Sequence, residues 1–458
     1  MRERCSPRSA RVVAAAVTAV AVAAGVVMLR GVSAAQVGRR APVAMPGHVQ
    51  LFYTAPVLVR AGERVLVPID AICASVKGVP CRARVTMRAA AGLGALHEAS
   101  ASASPGLRFD LSAVAARALA GGGTSGSIRF SIEAVAGGAR AALPAEAGSS
   151  LRFYVAKSIP PVRVPSIPFG RVRRGRTVLS LPWGTGAMRA GIALGDGVPT
   201  GPSSFDVDRW GRVLLLDTEQ SRLETFADGE LVRATTLPLV PRSDVAASRD
   251  GGAAVLVPGV GGRVDVRRVV ADGSSGTATD VPVPAAFGIA GAIRMVGEDA
   301  FVHLFPLDAW MPVAGSSSAG AATGLTVGEP LTGGRQLVSV VRGRRVRLGT
   351  VAGGRVRDAV ELTFGRELGE LSLAAPDGAG GYVVVVHVWH GGPRPADAFQ
   401  VVHVARTRIA STFLVPSHSY TVDAPQSVFR LGPGGLLYQL RTLPSGVQVV
   451  RYGIGGGS

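Results

Sequence analysis

At 458 residues, with 47% hydrophobic and 17% charged side chains, the chain is too long for one ordinary core and too apolar to remain disordered. Its 61 glycines and 30 prolines exclude a mainly helical protein and suit many short strands joined by tight turns, an all-β fold. The formal charge of +18 raises nucleic acid as a partner. However, aromatics are only 5%, and the arginine clusters at Arg171–Arg176 and Arg342–Arg347 lie beside strand-like runs, where arginine forms a solvated face. No run interleaving aromatic and basic residues is read, so nucleic acid is not expected, and a long-range attraction to anionic envelope polymers or lipid headgroups is preferred.

The chain opens with a leader, residues 1–35. Arg2, Arg4, Arg8 and Arg11 form a basic end, an uncharged stretch runs from Val12 to Leu29, and the small residues Ser33 and Ala35 precede a cleavage point before Gln36. This predicts export, with the mature protein secreted or tethered outside the cytoplasmic membrane. Two readings stand: a cleaved signal peptide, or an uncleaved membrane anchor near the lower length limit for a spanning helix. Cys5 precedes the apolar stretch and does not match a lipid-attachment site.

Residues 48–156 are read as a small β-sandwich. Leu51–Tyr53, Val57–Val59, Arg64–Val67, Arg82–Met87, Ser127–Ile132 and Leu151–Val155 are β-rich, and only Leu111–Ala120 looks helical. In an exported protein Cys73 and Cys81, with Gly78-Val-Pro80 between them, are expected to form a disulfide across a turn. A metal site wants more ligands, and a redox pair is more often spaced Cys-x-x-Cys. Residues 157–169 carry four prolines, which fix φ and remove donors, so this stretch is an extended linker outside any central strand.

Residues 170–458 carry a repeat. In its clearest copy Phe205–Val207 is a strand, Asp208-Arg-Trp-Gly211 a turn, Val213–Leu216 a strand buried on both faces, and Arg222–Phe226 a third strand. The turn and buried strand recur at Gly252–Val257, Asp299–Leu304, Gly334–Val340, Gly381–Val386 and Gly435–Leu440, at intervals of about 35 to 54 residues. Such spacing fits four-stranded propeller blades, and six signals give six blades. The strand-like Thr177–Leu181 would complete the last blade and close the ring.

The copy at 201–226 resembles an NHL repeat on Asp208, Gly211, Asp217 and Arg222. The other copies keep the turn and strand but carry Pro258, Phe305, Val340, His387 and Arg441 near the Asp217 position. The resemblance implies a β-propeller. Because some NHL-like propellers are lyases or lactonase-like hydrolases, it also implies the alternative of a divalent metal held in the channel by histidines or carboxylates from several blades.

The residues themselves give that chemistry little support. His303, His387, His390, His403 and His418 are scattered over the later blades, and His387 and His390 would face opposite ways on an extended strand. There is no Gly-x-Ser-x-Gly elbow or carboxylate pair at a telling spacing. Trp183, Trp210, Trp310 and Trp389 could line a ligand groove, but tryptophan in blades is more often core. The expectation is a non-enzymatic binding or scaffold protein without a cofactor, its propeller serving as an interaction platform for a protein or anionic envelope polymer.

Overall fold

The computed structural model describes residues 48–53, 57–74, 83–91, 95–102, 107–120, 122–136, 139–143, 151–195, 198–259, 263–283, 289–305, 309–313, 325–391, 396–417, 419–421 and 426–455. The leader 1–35, Cys81, the Cys73 side chain and His418 lie outside the described residues, and with them the cleavage and disulfide expectations. No helix among the described residues is long and apolar enough to cross a membrane.

The fold is all-β. In the first unit His48–Tyr53, Leu66–Ala74 and Leu107–Asp110 form one sheet. Leu58–Arg60, Leu151–Ala156, Ser125–Ala136, Arg84–Ala91 and Ala95–Ser102 form the other, with Ala139–Leu143 added beside Ser125–Ala136. Val67 and Ile69 of the first sheet share a core with Val85, Met87, Ile128, Phe130 and Phe153 of the second, making a sandwich. The helix is shorter than the sequence suggests, Ser112–Arg117, and buries Val114 and Ala115. Ala95–Ser102 was not anticipated: it is a run of Ala and Ser with little alternation, held as an edge strand by pairing with Arg84–Ala91.

Six further sheets surround a common axis. Blade 1 is Ser204–Val207, Val213–Asp217, Arg222–Ala227 and Glu230–Thr236. Blade 2 runs from Asp244–Ala247 to Ser275–Pro282, and blade 3 from Ile289–Val296 to Thr326–Val327. Blade 4 contains Glu329–Leu331, Arg335–Arg342, Arg345–Ala352 and Val360–Thr363; blade 5 runs from Leu368–Pro376 to Arg408–Val415. Blade 6 joins Phe429–Gly432, Leu436–Leu443 and Gly446–Gly453 to Arg176–Pro182, which pairs antiparallel with Gly446–Gly453. The ring is therefore closed by a strand from the start of the propeller, so neither end is left as an exposed sheet edge. Each blade packs against the next, mostly through innermost strands and between blades 4 and 5 through Arg335–Arg342, and the sixth returns to the first.

The Pro-rich segment is docked on the propeller. Pro161–Arg163 pairs in parallel with Val360–Thr363 as the outermost strand of blade 4, where a proline without an N–H is tolerated. Val162 and Val164 are buried there. The sandwich packs against blades 2 to 4: its core is continuous with Ala254, Leu256, Ile293 and Val302. Tyr154 Oη donates to Gln336 Oε1 at 2.8 Å across the joint.

Candidate functional site

The four repeat-motif residues make contacts within blade 1 and to the segment before it. Asp208 Oδ1 accepts from the backbone N–H groups of Trp210 and Arg212, both at 2.9 Å, and Oδ2 accepts from Arg212 Nε at 2.6 Å. Gly211 closes that turn at φ +83°, a conformation that favours glycine. Asp217 Oδ2 accepts from Gly191 N–H at 2.7 Å and so pins the segment before blade 1 to its second turn. Arg222 Nη2 donates to the Gly186 and Arg189 carbonyls at 2.6 and 3.2 Å.

The channel holds a charge network that the repeat did not disclose. The innermost strands of five blades contribute one residue each: Asp206, Asp244, Arg294, Glu329 and Arg430. Asp244 is fully buried; its Oδ2 accepts from Ile293 N–H of blade 3 at 2.8 Å, and its Oδ1 accepts from Ser204 Oγ and, at 3.3 Å, from Ser427 Oγ and Arg430 Nη2. Asp206 Oδ2 accepts from Ala247 N–H of blade 2 at 2.8 Å, and Arg430 Nε lies 3.5 Å from its Oδ1. Arg430 also donates to the Phe205 and Val245 carbonyls at 3.0 and 3.1 Å. Arg294 Nε meets Glu329 Oε1 at 2.8 Å. Burial opposes the charge on Arg294, but Glu329, Asp206 and Asp244 outweigh it and raise its pKa; burial and the neighbouring Arg294 lower that of Arg430.

These carboxylates are already engaged by guanidinium groups and, for the two aspartates, by backbone donors of the next blade. A carboxylate whose oxygens already accept from these donors has few lone pairs left for a metal. No group of three or more His, Cys, Asp or Glu side chains among the described residues is arranged to hold a metal ion. Among the described residues, His303, His387, His390 and His403 do not converge. His387 meets Asp397 at 3.2 Å, His403 meets Asp377 at 2.9 Å, His303 packs on Phe305 and Trp310, and His390 lies 6.5 Å from the Phe169 ring. Among the described residues the donor set therefore does not fit the channel metal that the NHL resemblance allows.

A second arrangement lies where the first and second strands of blades 1 to 4 turn. Trp210 is 53% exposed, correcting its expected place in a core; Trp389 is also exposed, while Trp310 is buried. The Arg209 and Arg212 guanidiniums stand 4.1 and 4.7 Å from the Trp210 ring centroid, and the ring lies over the turn at Gly251. Beside it a cavity of about 280 Å³ is lined by Arg249, Arg294, Glu329, Thr332 and Arg335. Arg294 is paired with Glu329, but Arg249 and Arg335 are exposed and have no acidic partner among the described residues. The sequence signal was the run Arg209-Trp-Gly-Arg212, an aromatic between two arginines that the search for longer basic–aromatic runs passed over.

No family model matches the chain, and no curated protein does. Among solved structures it is similar to a protein of unknown function from Bacteroides caccae, at 17% identity over 48% of this chain and 83% of that one, TM-score 0.32. It is also similar to virginiamycin B lyase from Staphylococcus aureus, at 10% identity over 74% and 96%, TM-score 0.27. A putative 6-phosphogluconolactonase from Bacteroides fragilis matches at 12% identity over 81% and 96%, TM-score 0.28. At such scores these likenesses carry no argument; the class, a six-bladed β-propeller with a β-sandwich, follows from the strand pairing.

Proposed function

We propose that this is an exported, non-enzymatic binding protein whose propeller holds an anionic polymer of the cell envelope across the turns of blades 1 to 4. The observation that supports this reading is the contrast between two sets of arginines. Those in the channel are paired and hold blades together, whereas Arg209, Arg249 and Arg335 are exposed around a cavity and a half-exposed tryptophan. A guanidinium can pair with a carboxylate or phosphate, and the Trp210 face can pack against a sugar ring.

The test is binding of the full chain to immobilised polygalacturonate, with neutral dextran as control, over a series of salt concentrations. Wild-type protein should bind the acidic polymer and release it as salt rises. The double variant R249Q/R335Q should bind about tenfold more weakly, a loss of about 1.4 kcal/mol. Equal retention of that variant, or equal binding to dextran, would refute the reading.

A further inference from the structure

A different cavity, of about 220 Å³, opens where the sandwich meets the second turn of blade 4, on the opposite side of the ring from the face above. It is lined by Glu63 and Arg64 of the sandwich and by Val340, Arg342, Arg345, Arg347 and Glu361 of the propeller. At its base Arg347 is buried; it donates from Nη1 to Glu63 Oε2 at 2.5 Å, and its other nitrogens meet Glu63 Oε1 and Glu361 Oε2. Burial pushes the Glu63 carboxyl up, but hydrogen bonds from Arg347 and Arg60 outweigh it and hold the group below the ordinary glutamate range. The inner acids are thus satisfied by Arg347.

The outer arginines are not matched in the same way. Arg345 Nη1 is 3.6 Å from Glu361, which Arg347 already engages, and Arg64 Nε is 3.2 Å from Asp110. Arg342 forms no ion pair among the described residues; burial and the like charges of Arg347 and Arg345 act against its charge, and Glu63 acts in its favour. Four guanidiniums and two carboxylates line the cavity, and Asp110 meets Arg64 from outside that lining. The surplus positive charge faces a cavity in which Val340 is the one apolar residue of the described lining.

We propose that this cavity binds a tetrahedral oxyanion, phosphate or sulfate, between Arg64 of the sandwich and Arg342 and Arg345 of blade 4. The anion supplies the acceptor that Arg342 lacks, adds a second to Arg64 and Arg345, and cross-links the two units. This site shares no residue with the polymer-binding face. Phosphate could arrive free or as the phosphodiester of a polymer, and the chemistry of the pocket is the same for both.

The experiment is calorimetric titration of the full chain with inorganic phosphate at constant ionic strength, repeated with a glycerol phosphate oligomer. One anion per chain is expected, with affinity about tenfold lower in R342Q and lower again in R342Q/R345Q. Both arginines are exposed, so the variants should fold, and circular dichroism checks this. R249Q/R335Q should bind phosphate as wild type does, which separates this site from the polymer-binding reading. Binding of inorganic phosphate assigns a free anion; binding of the oligomer alone assigns a polymer-borne one. Binding of neither, or undiminished affinity in R342Q/R345Q, would overturn the proposal. As a second readout, the bound anion should raise the melting temperature of wild type and not of R342Q/R345Q.

Discussion

Replacing Glu224 by glutamine should stabilise the protein, and more so in alkaline than in acidic solution. Glu224 sits in the third strand of blade 1 with no exposed surface. Arg222 Nη2 is 2.7 Å from its Oε1, yet among the described residues neither oxygen accepts an aligned hydrogen bond. Burial, opposed by Arg222 and assisted by the Asp217 charge, pushes the carboxyl from an ordinary 4.5 up to about 7. The folded protein therefore holds this proton more tightly than the unfolded chain does, and stability falls as pH rises between those values. Each pKa unit is about 1.4 kcal/mol, so the charged carboxylate costs roughly 3 kcal/mol at pH 8 and about 1 kcal/mol at pH 5. Glutamine removes the charge at both, while Arg222 keeps its carbonyl acceptors on Gly186 and Arg189. Urea unfolding at pH 5, 6, 7 and 8 reads the difference, and the gain should grow by about 2 kcal/mol across that range. An equal effect at every pH, or a destabilisation at pH 8, would refute the assignment of Glu224 as a strained acid.

Three other outcomes are expected. Asp244→Ala strips the acceptor from Ile293 N–H and leaves the buried Arg430 short of a partner, so it should cost about 3 to 5 kcal/mol in urea unfolding; a loss under about 1 kcal/mol would show that the channel network does not hold the blades. Gly446→Ala places a Cβ 2.0 Å from the Leu181 carbonyl at a backbone φ of +146°, a strain of about 1 to 3 kcal/mol. Hydrogen exchange should accelerate selectively in Arg176–Pro182, the closing strand, and uniform acceleration would count against its role. Glu63 has a lowered pKa, so its stabilising effect is complete above the ordinary value of 4.5 and is lost as pH falls through the lower folded value. Small-angle scattering should therefore show the joint between sandwich and propeller loosening in acid, and Glu63→Gln should already be loosened at pH 7.

What could be read from the sequence was set by burial. The second strands of the blades, from Val213–Asp217 to Leu436–Leu443, stood out because burial demands a short apolar run after a turn, although in Arg335–Arg342 only Leu337 and Val338 are buried. Thr177–Leu181 was legible as the closing strand by its alternation, with Leu179 and Leu181 buried and Ser180 and Pro182 exposed. The innermost strands were harder. Glu329–Leu331 and Phe429–Gly432 are only three and four residues long, and each carries a charge where an apolar pattern would be sought. Asp206 and Asp244 also escaped a search by repeat, since Ser204 and Asp244 are the positions that match: they pair with Leu216 and Leu256, the equivalent residues of the second strands. A network assembled from different registers leaves no periodic trace in one sequence.

The net charge of +18 acquires meaning only when its arginines are sorted by partner. Arg430 and Arg294 in the channel, Arg347 at the joint and Arg212 in the first turn are each matched to carboxylates, and those pairs act in the folding of this chain. At physiological salt, exposed charges are screened beyond about 8 Å, so isolated surface arginines add little to recognition of a particular ligand. What remains are local excesses, Arg249 with Arg335 on one side of the ring and Arg342 on the other. If the protein reads a polyanion, neutralising either excess should weaken one binding event and leave the other intact. A diffuse attraction driven by total charge would respond to both pairs of substitutions alike.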